Sequence, residues 1–149
     1  MTKFQDEFRA LVADYLVDQG KQPQEIEAGD DYLLNTQDRV LQLRLGTGGA
    51  MLLSTMIFYN DGDAEQVLNG PIAEFNAYHL FAGGFCLHVD AASGSVYVEQ
   101  ELTTGRFDAG SLRQHLLDFA DRATSCARWY LDQSREQSAA GTSGDVIIA

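Results

Sequence analysis

The fold is indicated first by residues 84–102, GFCLHVDAASGSVYVEQEL. Apolar residues alternate with polar ones in two short runs, which flank the Asp, Ser and Gly residues of positions 90–94. The alternating apolar residues are Phe85, Leu87, Val89, Val96, Val98 and Leu102. A period of two is typical of a half-buried strand, and Asp, Ser and Gly favour turns. The stretch therefore predicts a β-hairpin whose second strand carries Glu99 and Glu101 on a solvated, acidic face.

Upstream of this hairpin, the first residues predict an amphipathic helix. Thr2 can cap it, and Gly20 followed by Pro23 ends it. Its apolar residues return at helical spacing and form one stripe. They are Phe4, Phe8, Leu11, Val12, Tyr15 and Leu16.

Three strands are predicted next, at residues 32–34, 40–45 and 51–59. The second alternates between apolar and polar residues, and the glycine-rich residues 46–49 join it to the third as a hairpin loop. Residues 51–59 are apolar on both faces. A strand of this kind is covered on both sides, either by its own chain or by a partner.

Two helices complete the order of elements. A short one over about residues 71–81 is rich in aromatic residues, and a long one begins at Asp108. The apolar stripe of the long helix is Leu112, Leu116, Phe119, Ala123, Ala127 and Tyr130. After Gln133 the composition shifts to Ser, Gly, Ala and charge, which buries too little surface to order a chain. We therefore expect one domain over residues 1–133 and a flexible C-terminal tail over residues 134–149.

The charge of the chain is strongly negative and unevenly distributed. Its 149 residues carry a formal net charge of −12, with no Lys or Arg between Arg44 and Arg106. Seven acids lie in that interval: Asp61, Asp63, Glu65, Glu74, Asp90, Glu99 and Glu101. Nucleic acids and anionic membranes both require a basic surface, so neither is an expected partner. A basic or amphipathic protein partner suits this charge.

The cysteines and the first residues indicate the compartment. Cys86 and Cys126 lie among apolar residues and form neither a CxxC motif nor a disulfide framework, so we expect two small buried hydrophobic side chains. The charged N-terminus is unlike a signal peptide, and no apolar run approaches the roughly 18 residues of a membrane span. A reducing cytoplasm is the expected location.

Catalytic and metal sites are poorly supported by the sequence. Cys86, His88 and Asp90 share one strand face, but a fourth zinc ligand is not evident nearby. A Cys-His nucleophile would need a cation that lowers the pKa of the thiol, and the segment around Cys86 has none in sequence between Arg44 and Arg106. Residues 46–49 lack the Lys and the following helix of a phosphate loop. We therefore predict no enzyme, no metal and no cofactor.

What remains is an excess of apolar surface in residues 51–59 and 71–81. In a small acidic protein, such an excess marks a surface for self-association or for a partner. A slightly larger core is the alternative explanation of the same residues.

The sequence resembles the class I chaperones of bacterial type III secretion (the Tir-chaperone family) over about residues 2–133. The resemblance is carried by residues 84–90 and 93–98, and by the pattern of the last helix. In that helix the matching residues are Leu112, Leu116, Phe119, Ala123 and Trp129. The amphipathic first helix also fits the family.

The resemblance implies an α+β fold with the order helix, three strands, short helix, two strands, helix. It implies an antiparallel twisted sheet with helices packed on one face, and a homodimer. The function implied is that of a cytoplasmic virulence-associated chaperone of a Gram-negative bacterium. Such a chaperone binds the N-terminal chaperone-binding segment of a secreted effector and keeps it secretion-competent without ATP hydrolysis. The resemblance also implies components of the secretion apparatus as further partners.

The resemblance also suggests which residues carry these roles. The expected dimer contacts are Ile72, Phe75, Tyr78, His79 and Phe81. The expected effector-facing residues are Leu34, near the sheet edge, with Val40, Leu52, Met56 and Phe58. Glu99 and Glu101 are expected to supply negative potential.

Two other classes of protein fit the same pattern. A small sensory or regulatory domain of similar α/β architecture would share the apolar surface without a secretion substrate. A subunit of an enzyme would be indicated if folding or activity depended on a metal or cofactor.

Overall fold

The computed structural model describes residues 2–60 and 68–148, with side chains for residues 2–60, 68–79 and 84–137. In that part of the chain the elements follow the predicted order. The helices are α1 (Lys3–Asp18), α2 (Asn69–Gly83) and α3 (Ala109–Ile148), with short 3-10 helices at Pro23–Glu25 and Thr104–Arg106. The strands are β1 (Asp31–Thr36), β2 (Arg39–Leu45), β3 (Ala50–Phe58), β4 (Phe85–Val89) and β5 (Val96–Thr103). The α+β class and the antiparallel sheet are thus confirmed.

The five strands form one sheet in the order β1-β2-β3-β5-β4, so β1 and β4 are its outermost strands. The chain divides into two compact units. The first comprises Met1–Thr55 and Glu99–Asp121, and the second comprises Met56–Val98 and Arg122–Ala149. Strands β3 and β5 and helix α3 each contribute residues to both units.

The first unit is built on the predicted stripe of α1. Thr2 begins this helix with a capping box, in which its Oγ1 accepts from the amide of Gln5 (3.2 Å) while Gln5 Oε1 accepts from the amide of Thr2 (2.9 Å). The largest fully buried side chains of this unit come from α1, from strands β2 and β3, and from the start of α3. They are Phe8, Val12, Leu41, Leu43, Met51, Leu53, Leu112, Leu116 and Phe119.

A tight turn sets the register of β1 against β2. Thr36 pairs with Arg39, so only Gln37 and Asp38 connect the two strands. Gln37 adopts a left-handed conformation, with φ of +57°. Two-residue hairpin turns need positive φ to match the twist of the strands, which explains this conformation at a residue other than glycine.

The loop between β2 and β3 approaches its neighbours closely at Gly49. This residue has φ of +79°, and a Cβ atom there would lie 2.8 Å from Cδ1 of Phe4. Its carbonyl accepts hydrogen bonds from the amide (3.1 Å) and the hydroxyl (2.9 Å) of the buried Thr104. Glycine is therefore the residue that fits this position.

The second unit contains β4, the predicted turn and the first residues of β5. Its turn is held by Asp90, whose Oδ2 accepts from the amide (3.1 Å) and the hydroxyl (2.8 Å) of Ser93. These hydrogen bonds lower the pKa of Asp90. The buried Asn60 joins the same turn, because its amide donates to Ser95 Oγ at 3.0 Å. Asp90 thus closes the turn through its side chain.

Helix α3 extends beyond the end expected from its composition. Asp108 precedes it as the predicted start, and its Oδ1 accepts from the amide of Ser111 at 2.8 Å. The helix continues to Ile148, whereas the sequence favours a tail after Gln133. Residues 134–140 contain Glu, Gln and Ala, which are good helix formers and can continue a helix already begun. The division into a domain and a flexible tail stays a prediction.

Candidate protein-binding surfaces

Two consecutive leucines of β1 occupy opposite faces of the sheet. Leu33 is 72% exposed, whereas Leu34 is 3% exposed and belongs to the core. Leu34 is the residue that the sequence analysis expects on the effector-facing surface, but its side chain is buried, and the exposed leucine of β1 is Leu33. The sequence left this choice open, because two adjacent leucines carry no alternation that assigns a face.

The backbone of β1 is open on its outer side. Within the described residues this strand pairs only with β2. The amide of Leu45 donates to the carbonyl of Asp30 at 2.8 Å, which makes these two residues a hydrogen-bonded pair. Because such pairs alternate along an antiparallel ladder, the register directs the amides and carbonyls of every second residue of β1 away from β2. These outward residues are Asp31, Leu33 and Asn35.

The face that bears Leu33 continues across β2 and β3 of the first unit. Val40 is 53% exposed on this face, and the half-buried Leu52 pairs with Arg44 of β2. Gln42 lies between them, opposite Leu33, and donates to the carboxylate of Asp31 at 2.9 Å and 3.1 Å. The exposed face is thus a mixed surface, in which apolar side chains flank a hydrogen-bonded polar row.

The other two predicted effector-facing residues belong to the second unit. Met56 is 36% exposed. Phe58 is half-buried, and its ring lies 4.9 Å from the ring of Tyr130. Tyr130 is almost fully buried, which raises the pKa of its hydroxyl, and that hydroxyl accepts from the amide of Leu68 at 3.3 Å. Phe58 therefore contributes to packing within its own unit.

A groove of about 460 Å³ runs along the open edge of β1 in the first unit. Its apolar lining comes from Leu16 at the end of α1, Ile26 and Leu33. Its charged lining is Lys21, Glu25, Glu27 and Asp31. Three acids against one base among these described residues make this groove acidic. The sequence analysis names Leu16 only in the apolar stripe of α1 and assigns a binding role to none of the residues that line this groove.

Hydrogen bonds hold the wall of this groove in place. The hydroxyl of Tyr32 donates to the carbonyl of Glu27 (3.0 Å) and accepts from the amide of Gly29 (3.0 Å). Arg9 of α1 reaches the same segment, with Nε and Nη2 at 3.1 Å and 3.0 Å from Oδ1 of Asp30. The segment before β1 is thus tied both to the strand and to the first helix.

The predicted dimer residues on α2 form an aromatic cluster in the second unit. The rings of Phe75 and His79 are stacked with centroids 4.0 Å apart, and the ring of Trp129 lies 5.1 Å from that of Phe75. Tyr78 meets His79 edge-on at 5.0 Å and is 72% exposed. Ile72 is 7% exposed and belongs to the core. The side chain of Phe81 lies outside the described residues.

A small cavity of about 190 Å³ lies beside this cluster. It is bounded by Phe75 and His79 of α2, by Phe85, and by residues of α3 that include Arg122 and Cys126. The guanidinium carbon of Arg122 lies 4.9 Å from the centre of the Phe85 ring, within the range of a cation–π contact. Cys86 and Cys126 are both half-buried, rather than fully buried as expected.

The outer strand β4 is closed by a side chain of α2. Asn76 Nδ2 donates to the carbonyl of Leu87 at 3.0 Å, and Asn76 Oδ1 accepts from the amide of the same residue at 2.6 Å. A carboxamide has the donor and the acceptor of a peptide group, so Asn76 takes the place of a neighbouring strand at this residue. Native proteins commonly cover edge strands in order to prevent unwanted pairing.

The described part of the chain gives no evidence of a metal site or of a membrane-spanning helix. No three or more His, Cys, Asp and Glu side chains there come together as a metal site. None of the helices described in residues 2–60 and 68–148 is long and apolar enough to cross a membrane. On β5, Glu99 is half-buried and Glu101 exposed.

Three solved structures are similar to this chain over most of their length. A chain of the HopA1–SchA chaperone–effector complex has a TM-score of 0.63 and 14% identity, covering 87% of this chain and 97% of that one. A chain of the ExsC–ExsE complex has a TM-score of 0.65 and 16% identity, with the same two coverages of 87% and 97%. A chain from the complex of the Yersinia pestis type III secretion chaperone SycH with a fragment of YscM2 has a TM-score of 0.58 and 14% identity, covering 79% and 98%.

These similarities establish the fold as that of the type III secretion chaperones, which confirms the resemblance found in the sequence. No protein-family profile matches the chain, and no curated protein sequence matches it. Identities of 14–16% mean that the similarity resides in the order and pairing of elements rather than in shared residues.

Proposed function

We propose that this protein is a cytoplasmic chaperone that binds the N-terminal segment of a type III secreted effector and keeps it secretion-competent. The fold supports this proposal, because structures of the same fold include a chaperone–effector complex. The bound segment would be extended along the chaperone, so that it neither aggregates nor completes its own fold.

The open outer edge of β1 is the observation that carries the proposal. An extended partner can add a strand there, using the outward amides and carbonyls of Asp31, Leu33 and Asn35. β4, in contrast, is occupied at Leu87 by Asn76. Because Asn76 already bonds β4 at Leu87, whereas β1 is open beside the exposed Leu33, we expect a partner strand to add at β1.

The exposed sheet face would bind the apolar side chains of the partner. In the first unit, Val40 and Leu52 are the members of the predicted set that retain surface, and we propose Leu33 in place of Leu34. In the second unit, Met56 retains surface as well. Burying a single aliphatic side chain of this size stabilises a complex by about 1.5–3 kcal/mol before ordering costs. Several such contacts together with strand hydrogen bonds account for binding without ATP hydrolysis, and we assign the protein no catalytic role.

The working form is proposed to be a homodimer that associates through α2. Among the described side chains of this helix, Tyr78 is the exposed aromatic residue, and its ring contacts that of His79, which is stacked on Phe75. This packing restrains the side chain of Tyr78, and tyrosine is one of the residue types that most often dominate the binding energy of protein interfaces. Phe81 is expected to extend the contact, whereas Ile72 would support it from within.

The negative charge is proposed to assist association. A net charge of −12 attracts basic segments over several ångströms and keeps the complex dispersed. Glu99 and Glu101 contribute to that field in the first unit.

The test is immunoprecipitation of the protein from its native host, with mass spectrometry of what is bound, followed by a secretion assay. We expect a bound protein that reaches the culture medium, whose secretion falls when the gene for this chain is deleted. Removal of the N-terminal segment of that partner should abolish binding. If the bound partner is instead an intracellular regulator whose secretion is unaffected, the regulatory-domain alternative replaces this proposal.

A further inference from the structure

We propose that the acidic groove beside β1 selects a partner strand in which apolar residues are interspersed with Lys or Arg. This inference rests on the proposed function and specifies the class of segment that the same edge accepts. It concerns the first unit alone.

The geometry of β1 sets the order of contacts. Asp31, Leu33 and Asn35 have outward-pointing backbones, and their side chains share the exposed face. A strand added at this edge therefore places one side chain beside Leu33, and the side chains two positions away beside Asp31 and Asn35. An apolar residue suits the first position, and a basic residue suits the position beside Asp31.

The acidic residues of the groove add to the preference for basic residues in the partner strand. Glu25 is exposed, and neither its carboxylate nor that of Glu27 takes part in the salt bridges found in the described residues. Leu16 and Ile26 line the same groove and give it apolar surface. Among the described residues of the lining, Lys21 is the one base against three acids, which favours a negative field inside the groove.

The same charges argue against an acidic partner and against a second copy of this chain. This chain carries twelve more acids than bases, so most of its own strands would be repelled. Its β1 strand in particular contains Asp31, which would face acids across the groove. A separate, basic and apolar segment fits the charge and the shape together.

The probes are fluorescent peptides of about eight residues, the length of one strand. One contains Val and Lys, a second has Glu in place of every Lys, and a third has Ser in place of every Val. We expect the Val-Lys peptide to bind the intact protein about tenfold more tightly than either of the others, as measured by fluorescence anisotropy at low salt. Equal binding of the Val-Lys and Val-Glu peptides would overturn the proposal.

A pair of matched variants locates the charge effect. Glu25→Gln with Glu27→Gln removes two acids from the groove, and should weaken the Val-Lys peptide about fivefold. Asp14→Asn with Asp18→Asn removes two exposed acids of α1 outside the groove lining, and should change binding less than twofold. If both double substitutions weaken peptide binding by the same factor, the net charge of the protein explains the effect rather than the groove. The assignment is then wrong.

Hydrogen exchange locates the backbone contact. The amides of Leu33 and Asn35 should exchange fast in the free protein and slowly with the Val-Lys peptide bound. If they are already protected without peptide and the peptide adds nothing, another part of the protein or a second copy fills the edge, and the proposal fails.

These outcomes separate this inference from the proposed function. A secreted client found in the host together with equal binding of the acidic and basic peptides leaves the chaperone function intact and refutes the preference. Selective binding of the Val-Lys peptide together with no secreted client supports the preference and refutes the chaperone function.

Discussion

Leu33 and Leu34 are neighbours in sequence, yet one is 72% exposed and the other 3%. The β1–β2 register produces this difference, because successive side chains of a strand point to opposite faces. The two leucines therefore provide a matched pair in which stability and partner binding can be separated.

Leu34→Ala should destabilise the protein by about 2–5 kcal/mol, because it leaves a cavity in the core. Leu33→Thr should change the free energy of unfolding by no more than about 0.5 kcal/mol, since it alters an exposed strand position with a good strand former. Urea unfolding measures both. The same Leu33→Thr change should weaken the Val-Lys peptide about tenfold. Unchanged peptide affinity in this variant would remove Leu33 from the binding surface.

Tyr78→Glu should convert the proposed dimer into monomers. We expect the dissociation constant of the dimer to rise about 30-fold or more. The reason is that a charge would replace the exposed aromatic residue that rests on His79. Sedimentation equilibrium measures the dissociation constant. Tyr59→Glu, which changes another tyrosine of high exposure (66%) outside α2, is the control and should leave association unchanged. A Tyr78→Glu protein that remains fully dimeric would show that α2 is not the interface.

Asn76→Ala should lower stability by about 1–3 kcal/mol, because both backbone groups of Leu87 lose their partner. It should also raise the tendency to aggregate, since the edge of β4 becomes available for pairing. Thermal unfolding and light scattering measure the two effects. Asn69→Ala changes an exposed asparagine at the start of the same helix and should have neither effect. Equal behaviour of the two variants would contradict the edge-capping role of Asn76.

Acid should weaken the cap at the start of α3. Hydrogen bonds from the amide and the hydroxyl of Ser111 lower the pKa of Asp108 below its usual range. A carboxyl whose pKa is lower in the folded state stabilises the fold above its unfolded pKa, and this contribution is lost as the pH falls through the folded value. We therefore expect wild type to exceed Asp108→Ala in Tm near neutral pH, and this difference to shrink below about pH 4. A difference that is independent of pH would exclude the ionised carboxylate as its source.

Gly49→Ala should cost more stability than Gly48→Ala, by about 1 kcal/mol. Both glycines have positive φ, but only at Gly49 would a Cβ atom meet the ring of Phe4. Combining Gly49→Ala with Phe4→Ala should recover the additional loss. Urea unfolding of the four proteins tests this expectation, and equal losses at the two glycines would rule out the close approach as the cause.

The periodic parts of the fold were predictable from sequence. The stripe of α1, the hairpin of β4 and β5, and the start of α3 at Asp108 follow from local spacing and capping, which the chain carries within a few residues. The surfaces were less predictable because they depend on pairing. The face assigned to Leu34 depended on the register with β2, and the packing of Phe58 depended on Tyr130, a residue far along the chain.

The groove was not predicted because none of its features is local. No periodicity distinguishes the segment that contains Glu25, Ile26 and Glu27. This segment lines the groove because hydrogen bonds of Tyr32 and Arg9 hold the residues that follow it. The paired role of Asn76 was equally invisible, since an asparagine in a helix gives no sign of which backbone it will meet.

The turn at Gln37 has a consequence for how this protein can diverge. A loop of two residues fixes the pairing of β1 with β2. It thereby fixes which of any two adjacent side chains of β1 is exposed and which is buried. An insertion of one residue before Arg39 that shifted the pairing would exchange Leu33 and Leu34 without altering either of them. Recognition by this edge can therefore be rewritten by a change in chain length alone, and comparison of homologues should align the turn before it aligns the strand.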